Sequence, residues 1–318
     1  MRQARARYPT EMSGKVGAIG SYNTGFVVYV ERLPIEGETL KGRGFRIEHG
    51  GKGSNQAIQA ARLGCDTFIV ARVGADIFGE RALSKWSAEK IDTEYVVVDR
   101  DNPTGAGLVI VGPAGKNIII VDLGANMHLT KNDVTHAGER IRSADVVLAQ
   151  LEIPLETSLH ALKTAEGVKI LNPAPASPIQ PETLKGINII TPNEVEIAAM
   201  AGYTPGEDID LVAAAKKYAK YVDNVVVTLG EKGAMVVSGD DVKHVKAPHV
   251  KAVDSTGAGD AFNGALATAL ARGYSVLEAV EYACHAGAFL AARIRGGELV
   301  EALPEEKELE KFISEHRT

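Results

Sequence analysis

Between residues 145 and 229 short apolar runs alternate with segments whose apolar residues fall at helical spacing, except that the run at 169–171 leads into a Pro-rich loop. The runs 145–150, 169–171, 188–190 and 224–229 are rich in Val, Ile and Leu, with no polar residue between their apolar central positions. The segments 155–165, 193–201 and 211–221 between them space their apolar residues three and four apart. A strand that is apolar on both sides has to be covered on both sides, which is the pattern of a parallel sheet with helices on each face. Strands at 15–19 and 67–73, with helices at 56–63 and 78–90, extend the pattern toward the N-terminus. Ligands of such sheets bind beyond the carboxyl ends of the strands.

Some stretches break the alternation. Residues 27–30 and 39–47 lack helical periodicity and are expected to form a small sheet of their own, with further strands at 95–98, 107–111 and 117–121. The last two are joined by the hairpin-like turn Gly112-Pro113-Ala114-Gly115. An antiparallel pair is expected at 234–237 and 241–245, and the C-terminal part is helical at 276–293 and 305–316.

The stretch with most chemical content is Val253-Asp254-Ser255-Thr256-Gly257-Ala258-Gly259-Asp260-Ala261-Phe262-Asn263-Gly264. Its glycines permit positive φ and close backbone approach, and from Ala261 the pattern turns helical. The first amides of a helix lack internal partners and attract anions. Asp260, in that first turn, stands beside them as a carboxylate able to take a hydrogen bond from a hydroxyl. A hydroxyl held against a base and facing a phosphate site points to phosphoryl transfer. A plain glycine-rich turn with an acidic helix start fits the stretch equally well.

Four more polar clusters fall at strand ends or loops. Gly50-Gly51-Lys52-Gly53-Ser54-Asn55 lacks the spacing of a Walker loop, but its glycines let backbone and lysine approach a polyhydroxylated ligand; the alternative is a helix capped by Ser54. In Thr191-Pro192-Asn193-Glu194-Val195-Glu196, Thr191 and Glu194 read as a capping box with Pro192 first in the helix. That leaves Asn193 and Glu196 on one face, where they can hold a hydrated Mg²⁺. Thr228-Leu229-Gly230-Glu231-Lys232-Gly233 offers glycines for a phosphate-facing loop. Glu152, after Gln150 and Leu151, either binds sugar hydroxyls or caps the helix near Leu155. His49 and His285 have no partners at metal-ligand spacing, which gives no zinc site. His285, mid-helix, is expected to pack or to stack on a ligand.

The formal charge, 35 basic against 41 acidic residues, is −6 and argues against a nucleic-acid partner. No run of about 18 apolar residues is present, so no membrane helix is expected. Two cysteines, Cys65 and Cys284, suit a reducing cytoplasm and buried packing. Residues 1–12 are basic at their start, precede no apolar run and are expected to be a flexible extension, with a single folded domain over 13–318.

The chain resembles the ribokinase/phosphofructokinase-B family of carbohydrate kinases over about residues 14–300. The resemblance rests on Gly50-Gly51-Lys52-Gly53 with Asn55, Leu171-Asn172-Pro173-Ala174-Pro175, Thr191-Pro192-Asn193-Glu194-Val195-Glu196, Thr228-Leu229-Gly230 and Asp254-Ser255-Thr256-Gly257-Ala258-Gly259-Asp260, in that order. It implies an α/β fold with a doubly wound, mainly parallel sheet flanked by helices and a small β-sheet lid, here about 24–50 and 103–126. It implies transfer of the ATP γ-phosphoryl to a primary hydroxyl of a pentose or similar sugar, with ATP, Mg²⁺ and K⁺. Asp260 would be the base, and the Gly257, Ala258 and Gly259 amides would stabilise the transferring phosphoryl. Asn23, Gly51, Lys52, Asn55, Glu152 and Asp260 would surround the sugar. Asn193 and Glu196 would act through Mg²⁺, while Thr228, Gly230, Gly233 and His285 line the nucleotide. Potassium would be held by Asp254 and Thr256 with carbonyls near Ala292, Arg295 and Gly297. Homodimers would form through clasped lids.

One position departs from the family. Where ribokinases carry an aspartate two residues after the asparagine matching Asn23, this chain has Gly25. By resemblance that aspartate holds two adjacent ribose hydroxyls, and its loss is worth about 2–3 kcal/mol. The departure points away from D-ribose and leaves phosphoryl transfer untouched. The rival readings are a nucleoside kinase of the same family and a non-catalytic sugar- or nucleotide-binding regulator. A dinucleotide-dependent dehydrogenase would need Gly-x-Gly-x-x-Gly after the first strand, where the chain has Gly17-Ala18-Ile19-Gly20.

Overall fold

The computed structural model describes residues 13–113, 117–204, 207, 209–293 and 298–316. The strands are β1 (Lys15–Ile19), β2 (Asn23–Tyr29), β3 (Arg43–Gly50), β4 (Asp66–Gly74), β5 (Val96–Asp99), β6 (Gly105–Val111) and β7 (Asn117–Asp122). They continue as β8 (Val146–Ala149), β9 (Val168–Leu171), β10 (Ile189–Ile190), β11 (Asn224–Thr228), β12 (Ala234–Ser238) and β13 (Asp241–Val245). Nine of them form one sheet in the order β13-β12-β11-β10-β9-β8-β1-β4-β5. It is parallel from β11 to β5, and β12 and β13 add an antiparallel edge.

Consecutive strand residues enter opposite hydrophobic clusters, as period-two geometry requires. Val147 and Ala149 of β8 pack on one side with Leu162, Ile197 and Tyr218, from helices Leu155–Thr164, Glu194–Ala201 and Leu211–Tyr218. Val146 and Leu148 pack on the other with Phe262, Leu266 and Val280, from helices Ala258–Ala271 and Val276–Ala292. Helices Lys52–Arg62 and Ile77–Ala88 cover that second side beneath β1 and β4 through Ile58 and Trp86. Burial of both faces is the physical reason the sheet strands read as continuous apolar runs.

The other four strands form a separate sheet in the order β3-β2-β6-β7. β2 runs antiparallel to β3 and parallel to β6, and β6 is antiparallel to β7. β2 begins at Asn23, four residues before the expected 27, because Asn23 and Gly25 pair with Gly50 and Glu48 across the ladder. That pairing is long-range and leaves no local signal. The helical segments Lys131–His136, Gly138–Arg142 and Leu299–Ala302 were also not expected; each is six residues or fewer, below the length at which periodicity is readable. Residues 1–12, Ala114, Gly115, Arg295 and Gly297 lie outside the described residues. Among the described residues no helix is long and apolar enough to cross a membrane.

Candidate active site

Two helices begin at the same place, over the carboxyl ends of the parallel strands. Helix Lys52–Arg62 starts from Gly51 at φ 91°, and helix Ala258–Ala271 starts from Gly257 at φ 76°. Side chains rarely adopt that left-handed backbone, so both starts require glycine. A Cβ at Gly51 would lie 2.6 Å from the Cα of Tyr22, and one at Gly257 would lie 2.5 Å from the Leu299 side chain. Ser54 is therefore not the cap. It lies within the first turn, buried, and accepts a 2.9 Å bond from the Trp86 indole.

Asp260 is 7% exposed and held on both oxygens. Asn55 Nδ2 donates to Oδ2 at 2.9 Å and Gln56 Nε2 to Oδ1 at 3.0 Å. Gln56 also donates to Asn172 Oδ1 and accepts from Gln150 Nε2. Asn172 donates to the Thr191 carbonyl, the Thr191 hydroxyl to Asn263 Oδ1, and Asn263 Nδ2 to the Gly259 carbonyl. This buried polar chain fixes the carboxylate relative to the start of its own helix. Asn55 Oδ1 is buried with no hydrogen-bond partner among the described residues. Such an acceptor costs about 1–3 kcal/mol until a donor reaches it. A ligand hydroxyl would offset that cost.

At the Gly257–Gly259 turn the Ala258 amide donates to the Ser255 carbonyl, and the Asp260 amide to the Gly257 carbonyl. The Gly257 and Gly259 amides have no acceptor among the described residues. The anion site thus offers two open amides, and Ala258 is withdrawn from the three that the sequence suggested. The reason is the tight turn, which satisfies that donor locally.

Lys52 sits within the field of Asp260, Glu152 and Glu196. Burial alone would lower its pKa; the three carboxylates outweigh burial and raise it. Glu152 accepts from the Lys52 amide at 2.8 Å and from the Ser21 hydroxyl. It does not cap the following helix, whose N-cap is Pro154. Asn23 is buried and accepts from Asn126 Nδ2 at 2.9 Å.

The capping box after β10 is not the expected one. Helix Glu194–Ala201 starts from Asn193, whose side chain accepts from the Glu196 amide while Glu196 accepts from the Asn193 amide. Thr191 and Glu194 play no part in it, because the chain stays extended beyond β10: the Thr191 amide donates to the Leu171 carbonyl, and the Pro192 carbonyl accepts from the Thr228 amide. The two residues assigned to Mg²⁺ are therefore also the cap. Burial raises the Glu196 carboxyl above its usual value, the Asn193 amide and Lys52 opposing it. Among the described residues no three His, Cys, Asp or Glu form an all-protein metal cage.

Beside the amides opens a cavity of about 480 Å³. It is lined by Asn193, Thr228, Gly230, Gly233, Ala258 and Gly259, and on its far wall by Ala288 and Ala291. Thr228 is drawn to Asn193 by its amide bond to the Pro192 carbonyl. His285 does not line this cavity. Its ring is turned one helical step away, against Phe312, with Nδ1 at 2.9 Å from the Glu281 carbonyl. Cys284 and Gly287 occupy the cavity side instead. Asp254 Oδ1 accepts from the Thr256 amide and hydroxyl, and the Val253 and Asp254 amides both donate to the Ala291 carbonyl. The turn is thereby pinned to the end of helix Val276–Ala292, next to Ala292.

Sequence reasoning missed Gln56, Gln150 and Asn126. Gln56 follows Asn55 directly, and nothing in one sequence separates a glutamine that holds a carboxylate from one that faces solvent.

Comparison with known proteins agrees with this geometry. The family model described as pfkB family carbohydrate kinase matches residues 13–302. Ribokinase of Haemophilus influenzae is 35% identical over 299 residues, covering 93% of this chain and 97% of its own. The crystal structure of ribokinase from Thermotoga maritima superposes with a TM-score of 0.86 at 34% identity, over 95% of this chain and 100% of its own. Ribokinase of Arabidopsis thaliana, solved with ribose and ATP, gives 0.83 at 31% identity, over 95% and 99%. The fold is the ribokinase fold, a large mostly parallel sheet flanked by helices with a separate small sheet.

Proposed function

The chain belongs to the pfkB family of carbohydrate kinases, and from that premise we propose that it transfers the γ-phosphoryl of ATP to a primary hydroxyl of a pentose or similar sugar. The observation that carries this reading is Asp260, buried and bonded on both oxygens, in a helix start with open amides at Gly257 and Gly259, the second of which lines a cavity of about 480 Å³.

In the proposed reaction the acceptor hydroxyl lies against Asp260 and donates to it. As its oxygen bonds to the γ-phosphorus, the bond from that phosphorus to the β,γ-bridging oxygen breaks. The hydroxyl proton passes to Asp260, and ADP leaves. The Gly257 and Gly259 amides stabilise the charge of the transferring group, and Lys52 adds a cation that three carboxylates hold protonated. Lys52, Asn55, Glu152, Asn23 and the backbone at Gly51 hold the sugar. Thr228, Gly230, Gly233 and Asn193 line the nucleotide.

Bound Mg²⁺ would supply positive charge against the phosphates, with Asn193 and Glu196 placed to hold it. Glu196 suits it through water, since Mg²⁺ keeps several waters and needs few protein ligands. The oxygen donors of Asp254, Thr256 and the Ala292 carbonyl suit K⁺. The small sheet acts as a lid over the sugar. Its exposed Phe45, Leu108, Ile119 and Ile120 support pairing with a second copy. Two buried free thiols, Cys65 and Cys284, support a cytoplasmic setting.

The test is an ADP-release assay over pentoses, hexoses, polyols and nucleosides, with and without K⁺. Turnover is expected on D-ribose or a near relative. Preference for adenosine or cytidine would make the chain a nucleoside kinase, and absence of turnover on the whole panel would make it a binding protein.

A further inference from the structure

Gly25 leaves a gap in the face of the small sheet that looks over the acceptor. Ser21, two residues before Asn23, bonds Glu152 on that side, whereas Tyr22 and Phe26 pack the other way on Trp86 and Phe78. Alternation therefore places Asn23 and Gly25 on the Glu152 side. Register adds Gly50 and Glu48 from β3, Gly105 and Gly107 from β6, and Val121 from β7.

A Cβ at Gly107 would meet only Val121, at 3.9 Å. A Cβ at Gly25 would meet only Glu48, 3.7 Å from its Cβ. The centre of this face is open space. Glu48, directly across the ladder from Gly25, is the one acid that register brings to this face among the described residues. Its side chain is 14% exposed, and Arg46, two residues back on the same face, reaches its Oε1 at 2.9 Å. Arg46 is itself fixed by the Tyr29 hydroxyl at 2.8 Å and stacks over that ring.

We propose that Glu48 is the specificity-determining carboxylate of the acceptor site, reaching from β3 over Gly25 and Gly107 to hold vicinal hydroxyls of a pentose. Glutamate is one methylene longer than aspartate. From a neighbouring strand that extra length brings its carboxylate over the position an aspartate at 25 would serve. The carboxylate has moved across the ladder rather than disappeared, and D-ribose returns as a fitting acceptor. This inference rests on the kinase reading above and deepens it.

The experiment measures steady-state kinetics with D-ribose and 2-deoxy-D-ribose for the wild-type chain, Glu48→Gln, Gly25→Asp and the double variant, with thermal unfolding as the folding control. Glu48→Gln is expected to raise the KM for D-ribose about 10- to 150-fold, the range of a lost hydrogen bond to a charged group. Its kcat and its KM for ATP should stay within about threefold, and its preference for D-ribose over the deoxy sugar should narrow. Adding Gly25→Asp to Glu48→Gln should recover at least about tenfold of that KM. In the wild-type background Gly25→Asp sets two carboxylates directly opposite each other and should raise the KM, which keeps the test open if Glu48→Gln fails to fold. A Glu48→Gln KM within about twofold of wild type, or a single Gly25→Asp variant that binds D-ribose more tightly, overturns the assignment. Wild-type protein without turnover on either sugar or any other acceptor would instead remove the kinase reading itself.

Discussion

The polar network around Asp260 and the cavity beside Thr228 are built on opposite principles. In the network, side chains hold one another: Gln150 holds Gln56, Gln56 and Asn55 hold Asp260, and Asn172 ties them to Thr191. The cavity is walled by Gly230, Gly233, Ala247, Ala252, Ala288 and Ala291, and offers shape and backbone more than side-chain chemistry. A network of mutually bonded side chains fixes geometry, at the cost that each member matters. A wall of small residues tolerates change until a side chain fills it. The difference predicts that variants in the first region act on the chemical step and variants in the second on nucleotide affinity alone.

The largest effect expected is that of Asp260→Asn, which keeps the shape and removes the proton acceptor. Turnover should fall by about 10³-fold or more, while ATP affinity measured by calorimetry stays within about twofold. A rate within tenfold of wild type would show that this carboxylate is not the base. Next is Ala288→Leu, which pushes added methyls into the cavity. Overpacking of about 1–3 kcal/mol corresponds to a rise of about 5- to 150-fold in the KM for ATP. The KM for the sugar should not move, and an equal rise in both would mean that the two regions act as one.

The smallest effect concerns His285, outside both regions. Burial lowers its pKa, the Glu281 carbonyl bond and charge oppose this, and His316 adds to the lowering. Phe312 packs against its ring. The unfolded chain therefore binds the proton more readily than the folded one. This contribution to stability is complete above about pH 6.5 and is lost as pH falls through the depressed folded value. His285→Gln should leave the KM for ATP within about twofold. It should also reduce the loss of melting temperature between pH 7 and pH 5, by about 2 °C or less. A tenfold rise in that KM would return His285 to the nucleotide.

Legibility followed the same division. Asp260, Asn55 and Lys52 stood out because charged and amide side chains gathered around glycines are uncommon in sequence, and Glu152 stood out as a carboxylate at a strand end. Gln56 and Gln150 belong to the same network and did not, since their role exists only once β8 and the two helix starts are brought together. His285 was misplaced by one helical step, because a helix with apolar residues nearly all round does not show which side meets a cavity and which meets Phe312. The capping box slid by two residues because Thr191-x-x-Glu194 and Asn193-x-x-Glu196 obey the same spacing rule. The strand's end decides between them.

What the sequence determined by itself is the alternation of buried strands and helices, and the glycine-started turn that carries Asp260. Both follow from local chemistry, namely which residues avoid water and which allow positive φ. What only the tertiary structure decided is which distant groups meet. The parallel pairing of β2 with β6, the two amides left open at Gly257 and Gly259, and the placing of Glu48 across from Gly25 are all of this kind. The physical reason is that a ladder register and a buried hydrogen bond belong to pairs of residues far apart in the chain, and neither partner's neighbours reveal the other.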